Sequence, residues 1–251
     1  MFSFNKNNKN ISGEKDLKEA LNLRSETISI IAHQLRTRLS ATKWVLAMFV
    51  GGDYGKLPQE QEVMLKKALE ALEDSIKLSS ELISINHAED VTLNYDLKPI
   101  DIVKTLDDVI FDFSGESHKK NISIVFPRPT QDIPKILADE EKIRVVLQNI
   151  IENAIKYSDS NDQIIISLVH KENDGVEISI HDSGIGIPKE EQAHIFEKFY
   201  RASNAKQKEE TGSGLGLYTI RKIVEGHHGK IWFTSDGQQG TTFYINIPLA
   251  K

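Results

Sequence analysis

The sequence predicts an α+β multidomain chain: an antiparallel helical hairpin, forming a four-helix bundle as a dimer, followed by an α/β sandwich. Three observations carry that fold class. Residues 14–50 contain neither proline nor glycine, so one long helix is allowed there. Steps of three and four along it pick out Leu17, Leu21, Arg24, Ile28, Ile31, Leu35, Arg38, Thr42, Val45 and Phe49, seven of them apolar, which is a coiled-coil-like seam. Gly51 to Pro58, with three glycines and a proline, ends that helix in a turn. From Gln59 to about Ala88 the pattern repeats at Leu65, Leu69, Leu72, Ile76, Ser79 and Ile83. Beyond Asp90 the texture changes, with short β-branched runs alternating with helical patterns. Strands are expected at Ile122 to Phe126, Gln163 to His170, Val176 to Asp182, Lys230 to Thr234 and Thr241 to Ile247. Helices are expected at Asp101 to Lys119, Glu140 to Tyr157 and Leu215 to Gly226, so a sheet is covered on one face.

The expected division is a disordered Asn/Lys-rich tail at 1–13, the hairpin at 14–90 and the sandwich domain at 96–251. A lone hairpin leaves a seam exposed, and pairing with a second copy would bury it, so a homodimer is expected. A length of 251 residues suits one or two domains at roughly 150 residues each. Acids outnumber bases by 37 to 31, which argues against nucleic acid or a polybasic membrane anchor. The chain has no cysteine, which excludes disulfides, thiolate zinc sites and a cysteine nucleophile, and favours a reducing, cytoplasmic address. The longest apolar run, Trp44 to Val50, falls far short of the roughly 20 residues of a membrane span.

Two glycine clusters stand in the second half: Gly184 and Gly186 after Asp182, then Gly212, Gly214 and Gly216 interleaved with Ser213, Leu215 and Leu217. Either alone is ordinary loop chemistry. The second, however, opens into an amphipathic helix, where backbone amides and the helix dipole favour a phosphate. On the helix from Glu140, Asn149, Asn153 and Lys156 follow one another at spacings of four and three and so share a face, with Tyr157 beside them. Asparagine carbonyls suit a magnesium ion that keeps several waters, and a lysine beside them suits phosphate. A polar helix face is the plainer alternative for the same residues. Ala202 to Thr211, polar and poor in apolar anchors, suits a lid that orders over a ligand. Phe196 and Phe199 either dock that lid or pack in the core. His227 and His228, at a helix end, look like cationic caps.

Together these pieces resemble the sensor histidine kinases. Residues 139–158, DEEKIRVVLQNIIENAIKYS, are similar to the family's N box, HDSGIGIP to its G1 box, IFEKFYR to its F box, GSGLGL to its G2 box and GTTF to its last glycine box. The resemblance runs from about Ser25 to Pro248. It implies the ATP-binding sandwich shared with gyrase and certain chaperone ATPases, with ATP and Mg²⁺ as cofactors. By it, Asn153 with Asn149 nearby would hold magnesium, and Lys156 and Arg201 would approach the phosphates. Tyr157 would flank the base and Asp182 would accept the adenine amine. Gly184, Gly186, Gly212, Gly214, Leu215 and Gly216 would shape the lid. An ionised aspartate is an acceptor, which independently suits the adenine amine over the guanine carbonyl.

IIAHQLRTRLS resembles the family's H box and implies His33 as phosphoacceptor, with transfer onward to an aspartate of a response-regulator receiver domain. Neutral imidazole is a competent nucleophile near pH 7, and the glycine-loop amides would hold the charge that spreads in an in-line transfer. Thr37, one turn on, stands where the family often positions water for regulator dephosphorylation. Trp44, further along that stripe, suits either a regulator anchor or helix packing. The H box departs from the family twice. Gln34 replaces the usual acid and cannot take a proton, which removes general-base help worth about 10²–10⁴-fold. Arg38 replaces the usual proline, so the kink it would cause is missing.

Two other functions compete. A gyrase-like hydrolase would place a water-activating glutamate four residues before Asn153, where Asn149 stands; Glu152 points elsewhere. A dimeric ATP-binding scaffold, acting mainly as a regulator phosphatase, fits the two H-box departures. Slow autophosphorylation is the expected result. Labelled-ATP assays should find Gln34→Glu and Arg38→Pro faster than the natural sequence, and equal rates in all three would refute the idea.

Overall fold

The computed structural model describes residues 30–32, 34–89, 95–171, 175–209 and 211–250, apart from the side chains of 81–89. His33, the expected tail at 1–13, the seam positions Leu17, Leu21, Arg24 and Ile28, and the Ile83 side chain lie outside those residues. The chain forms two compact units, one ending at Leu93 and one spanning Asn94–Lys251.

In the first unit, α1 covers residues 30–51, position 33 aside, and α2 spans Gln59–Glu89. The Gly52 and Asp53 amides donate to the Phe49 and Met48 carbonyls at 3.2 and 3.1 Å and start the reversal. The helices run antiparallel: the Ser79 hydroxyl donates to the Ala32 carbonyl at 2.7 Å, and Lys43 pairs with Glu73 at 2.7 Å. The seam expected on α1 is not the one that closes the hairpin. Ala32 and Lys43 touch α2, and Arg36, Leu39 and Leu46 on the same stripe are partly buried. Ile31, Leu35, Val45 and Phe49 are 38–52% exposed in the single chain. One helical position is about 100° of rotation, so the apolar stripe lies beside the closing face.

In the second unit the order is β1 (Lys98–Ile100), α3 (Ile102–Asp112), α4 (Ser114–Lys119), β2 (Ser123–Val125), β3 (Ile136–Ala138), α5 (Glu140–Tyr157), β4 (Gln163–Lys171) and β5 (Gly175–Asp182). A 3₁₀ turn at Lys189–Glu191, α6 (Ser203–Lys208), α7 (Gly216–Gly226), β6 (Lys230–Ser235) and β7 (Thr241–Ile247) complete it. Five strands form one sheet in the order β2-β4-β5-β7-β6, parallel only between β2 and β4, and β1 pairs antiparallel with β3 in a separate ribbon. Ile164, Ile166, Ile178, Ile180, Phe243 and Ile245 point to one core with Leu106, Leu147, Ile151 and Ile220 of the helices. The opposite face carries a cross-strand row of Ser167, Ser179, Tyr244 and Trp232, whose last two rings stack at 5.3 Å. Such alternation follows from covering an antiparallel sheet on one side.

The expected helix at Asp101 to Lys119 divides at Phe113, where the Ser114 hydroxyl donates to the Phe111 carbonyl at 2.7 Å and competes with helix continuation. His227 is not a cationic cap. It is 2% exposed; its Nδ1 donates to the Ile223 carbonyl at 2.7 Å and its Nε2 accepts the Asp139 amide at 3.0 Å. Those two roles require the neutral ring, and burial lowers its pKa to match. Among the described residues, no helix is long and apolar enough to cross a membrane.

Candidate functional site

The site is built outward from α5. Asp139 caps this helix by accepting the Lys142 amide at 3.2 Å. Ile143, Val146, Leu147, Ile150, Ile151, Ala154 and Ile155 are buried. Helical periodicity therefore sends Asn149, Asn153 and Lys156 to a different, partly buried stripe, with Tyr157 at the last position. A Cβ on Gly216 would lie 2.3 Å from Asn149 Oδ1, so only glycine lets that carbonyl reach the first turn of α7. No side chain caps α7: its N-cap residue is the buried Leu215, whose own amide donates to Ser213 Oγ at 3.1 Å.

Opposite this, β5 ends in Asp182, which is 6% exposed. Burial raises its pKa from 3.8 to about 6, against the pull of the Gly184 and Thr241 amides, so the carboxylate is ionised at neutral pH. The Gly184 amide donates to Asp182 Oδ1 at 3.0 Å, and the Gly184 carbonyl accepts the Gly240 amide at 2.7 Å, joining the two glycine turns. Tyr157 sits beside this turn: its carbonyl accepts the Ile185 amide at 3.3 Å, and burial raises the pKa of its hydroxyl, which bonds Arg201.

The segment expected as a lid at Ala202 to Thr211 contains a helix, α6. The Glu191 carboxylate supplies the missing cap from outside, accepting the Ser203 amide at 2.8 Å and the Tyr200 hydroxyl at 3.0 Å. Asn204 Nδ2 donates to the Gly186 carbonyl at 3.0 Å and the Ile185 carbonyl at 3.3 Å, which ties the root of the segment to the first glycine cluster. Three cations hold the rest. Lys156 donates to the Thr211 carbonyl at 2.9 Å, and Arg201 donates to the carbonyls of Ala205, Glu209 and Gly212. Lys208 reaches the Tyr157 carbonyl at 3.0 Å and Asp159 at 2.7 Å. Gly214 takes a left-handed φ of 71° against the Phe199 and Tyr200 backbone, where a side chain would collide. Phe196 packs against the core beside Phe233, whereas Phe199 is 64% exposed; Tyr200 packs partly on the core and shares the Glu191 carboxylate with Ser203 at the root of the segment.

The structure thus gathers Asn149, Asn153, Lys156, Tyr157, Asp182, Arg201 and both glycine clusters within the second unit. Gln34 and Thr37 lie on α1 in the first, with Gln34 exposed. Glu191, Asn204 and Lys208 escape sequence reasoning. Only Glu191 has a local signal, as an acid just after Pro188 in a first-turn position.

A one-sided mixed sheet, a sunken carboxylate and a polar segment bracketed by glycine clusters define an ATPase-type α/β sandwich. Residues 138–251 match the family described as histidine kinase-, DNA gyrase B- and HSP90-like ATPases. The adaptive-response sensory kinase SasA of Prochlorococcus marinus is 35% identical over 222 residues, 88% of this chain and 56% of its own length. SasA of Synechocystis sp. is 28% identical over 242 residues, covering 95% and 62%. This chain spans 56–63% of the length of such relatives. Full-length ShkA in complex with AMPPNP superposes with a TM-score of 0.69 at 27% identity, over 90% of this chain and 46% of that one. The nucleotide-free catalytic domain of the histidine kinase ThkA superposes at 0.53 with 30% identity, over 61% of this chain and 97% of that one. The chain belongs to the sensor histidine kinase family.

The buried Asp182 has a consequence for stability. Its native pKa lies above that of the unfolded chain, so the stability it contributes is complete below about pH 4 and is lost as pH rises through about 6. Asp182→Asn should therefore raise the stability of the second unit at neutral pH, by about 3 kcal/mol at most. Thermal unfolding at both pH values checks this: the gain should vanish in acid.

Proposed function

We propose that this chain is the catalytic core of an ATP-dependent protein-histidine kinase that phosphorylates His33 and passes the group to an aspartate of a response-regulator receiver domain. What supports ATP as the substrate is one juxtaposition: a buried, ionised acceptor at Asp182 beside a lid whose carbonyls are held by Lys156 and Arg201 and whose own Lys208 reaches back to the Tyr157 carbonyl. Asp182 would take the adenine amine and Tyr157 would flank the ring. Lys156 and Arg201 would turn from lid carbonyls to phosphate oxygens, a stronger, charge-assisted partner. Gly184, Gly186, Gly212, Gly214, Leu215 and Gly216 would set the backbone that closes around them.

Asn149 and Asn153 offer neutral oxygen donors on one stripe of α5, and among the described residues no cluster of three His, Cys, Asp or Glu competes to hold an ion. That donor set fits Mg²⁺ bound together with phosphate, and not a protein-only cage. The ion would neutralise charge on the transferring group. His33 supplies the lone pair of one ring nitrogen; a nitrogen–phosphorus bond forms as the bond to the ADP oxygen breaks. The proton shed from the other ring nitrogen goes to solvent, since Gln34 cannot accept it.

The half-exposed stripe of Ile31, Leu35, Val45 and Phe49 supports a homodimer, since a second copy would cover it. A cytoplasmic address is part of the same proposal. Gln34 and Arg38 favour a second possibility, a dimeric ATP-binding scaffold that serves mainly as regulator phosphatase through Thr37. Incubation with Mg²⁺ and γ-labelled ATP separates them. Acid-labile phosphate should appear on the natural chain and be absent from His33→Ala. Nucleotide binding with no phosphoprotein would favour the scaffold, and ATP turnover without phosphoprotein would favour a hydrolase.

A further inference from the structure

The chain that enters the second unit is fastened to the two helices of the nucleotide site at the ends remote from the lid. Tyr95 packs its ring on His227 at 4.5 Å. The Asp96 amide donates to Asp139 Oδ2 at 3.2 Å, while Oδ1 of the same carboxylate caps α5. The Asp139 amide donates to His227 Nε2 at 3.0 Å, and His227 Nδ1 donates to the Ile223 carbonyl at the end of α7. Gly226 makes the seat: a Cβ there would lie 2.3 Å from the Tyr95 hydroxyl oxygen and 2.5 Å from two ring carbons.

These contacts close a frame. α7 starts beside Asn149 and ends beside Asp139, so it runs antiparallel to ten residues of α5, about 15 Å. The same pair of helices therefore meets the lid at one end and the incoming chain at the other. Only residues 90–94 separate the end of α2 from Tyr95, at most about 20 Å of extended chain.

We propose that Tyr95, Asp139 and His227 form a clasp that couples the attachment of the interdomain segment to nucleotide binding. The proposal rests on α5 and α7 being the nucleotide helices. Nothing in the phosphoryl transfer uses these three side chains; they act as positioning residues, through a contiguous path of packed and hydrogen-bonded groups. Coupling of this kind is reciprocal, so nucleotide tightens the clasp by the factor by which the clasp tightens nucleotide.

Hydrogen–deuterium exchange on the full chain, with and without Mg²⁺ and AMP-PNP, tests it. In the natural sequence AMP-PNP should slow exchange at the Asp96 and Asp139 amides about fivefold. Tyr95→Ala should abolish that slowing and weaken AMP-PNP by the same factor. Gly226→Ala should do likewise by unseating Tyr95, although alanine is the better helix former, so a retained melting temperature separates uncoupling from unfolding. Tyr95→Phe, which keeps the ring, should preserve both effects. Slowing that persists in Tyr95→Ala and Gly226→Ala overturns the clasp, as does its absence from a natural chain that binds AMP-PNP. A natural chain that does not bind AMP-PNP overturns the ATP assignment, and the clasp with it.

Discussion

The packing of α5 against the sheet is the constraint on which the second unit depends. Seven of its eighteen residues are buried, and that stripe fixes the rotation of the helix about its axis. Once it is fixed, Asn149, Asn153 and Lys156 have no freedom to choose a direction; the core has chosen it for them. Asp139 then sets where the helix begins. Because α7 lies along α5, with Gly216 against Asn149, the backbone amides at the start of α7 are held beside the same polar stripe. Specific chemistry is thus a by-product of apolar burial, achieved, among the described residues, with no ion pair in the core.

The lid is organised by a different balance. Lys156 and Arg201 bond backbone carbonyls of the segment, neutral acceptors whose bonds are weaker than those to charged oxygens, and Lys208 divides between the Tyr157 carbonyl and the Asp159 carboxylate. The root of the segment, by contrast, is secured by the Glu191 carboxylate, whose pKa is lowered chiefly by the Ser203 hydroxyl, and by the two bonds of Asn204. A firmly rooted segment with an exchangeable outer part can move without losing its register. The overall charge of −6 gives no long-range attraction for an anion.

Much of this is legible in the amino-acid sequence. The strands Gln163–Lys171, Gly175–Asp182 and Thr241–Ile247 alternate so cleanly that their limits agree with expectation within a residue. The Asn149, Asn153, Lys156 stripe followed from helical spacing alone. The three-residue strands at Lys98–Ile100 and Ile136–Ala138 were not legible, since each is too short to display a period and the first contains Pro99. Glu191 and Asn204 stayed hidden because their partners lie 9 to 19 residues away, joined by tertiary geometry. His227 misled for a related reason. Its place at a helix end suggested a cation facing solvent, whereas burial under Tyr95 and the Asp139 amide imposed the neutral ring. The hairpin seam is displaced by one position, because the apolar spacing follows Ile31, Leu35, Val45 and Phe49, which the single chain leaves exposed.

The two tryptophans fall one to each unit and in contrasting settings. Trp44 on α1 is 66% exposed, and Trp232 on β6 is 36% exposed and stacked on Tyr244. The emission of the natural chain is therefore a sum of two spatially separate reporters, one water-facing and one shielded by a neighbouring ring. Replacing either by phenylalanine leaves a single-site optical probe, through which events in the helical hairpin and in the sandwich can be followed independently in the same intact molecule.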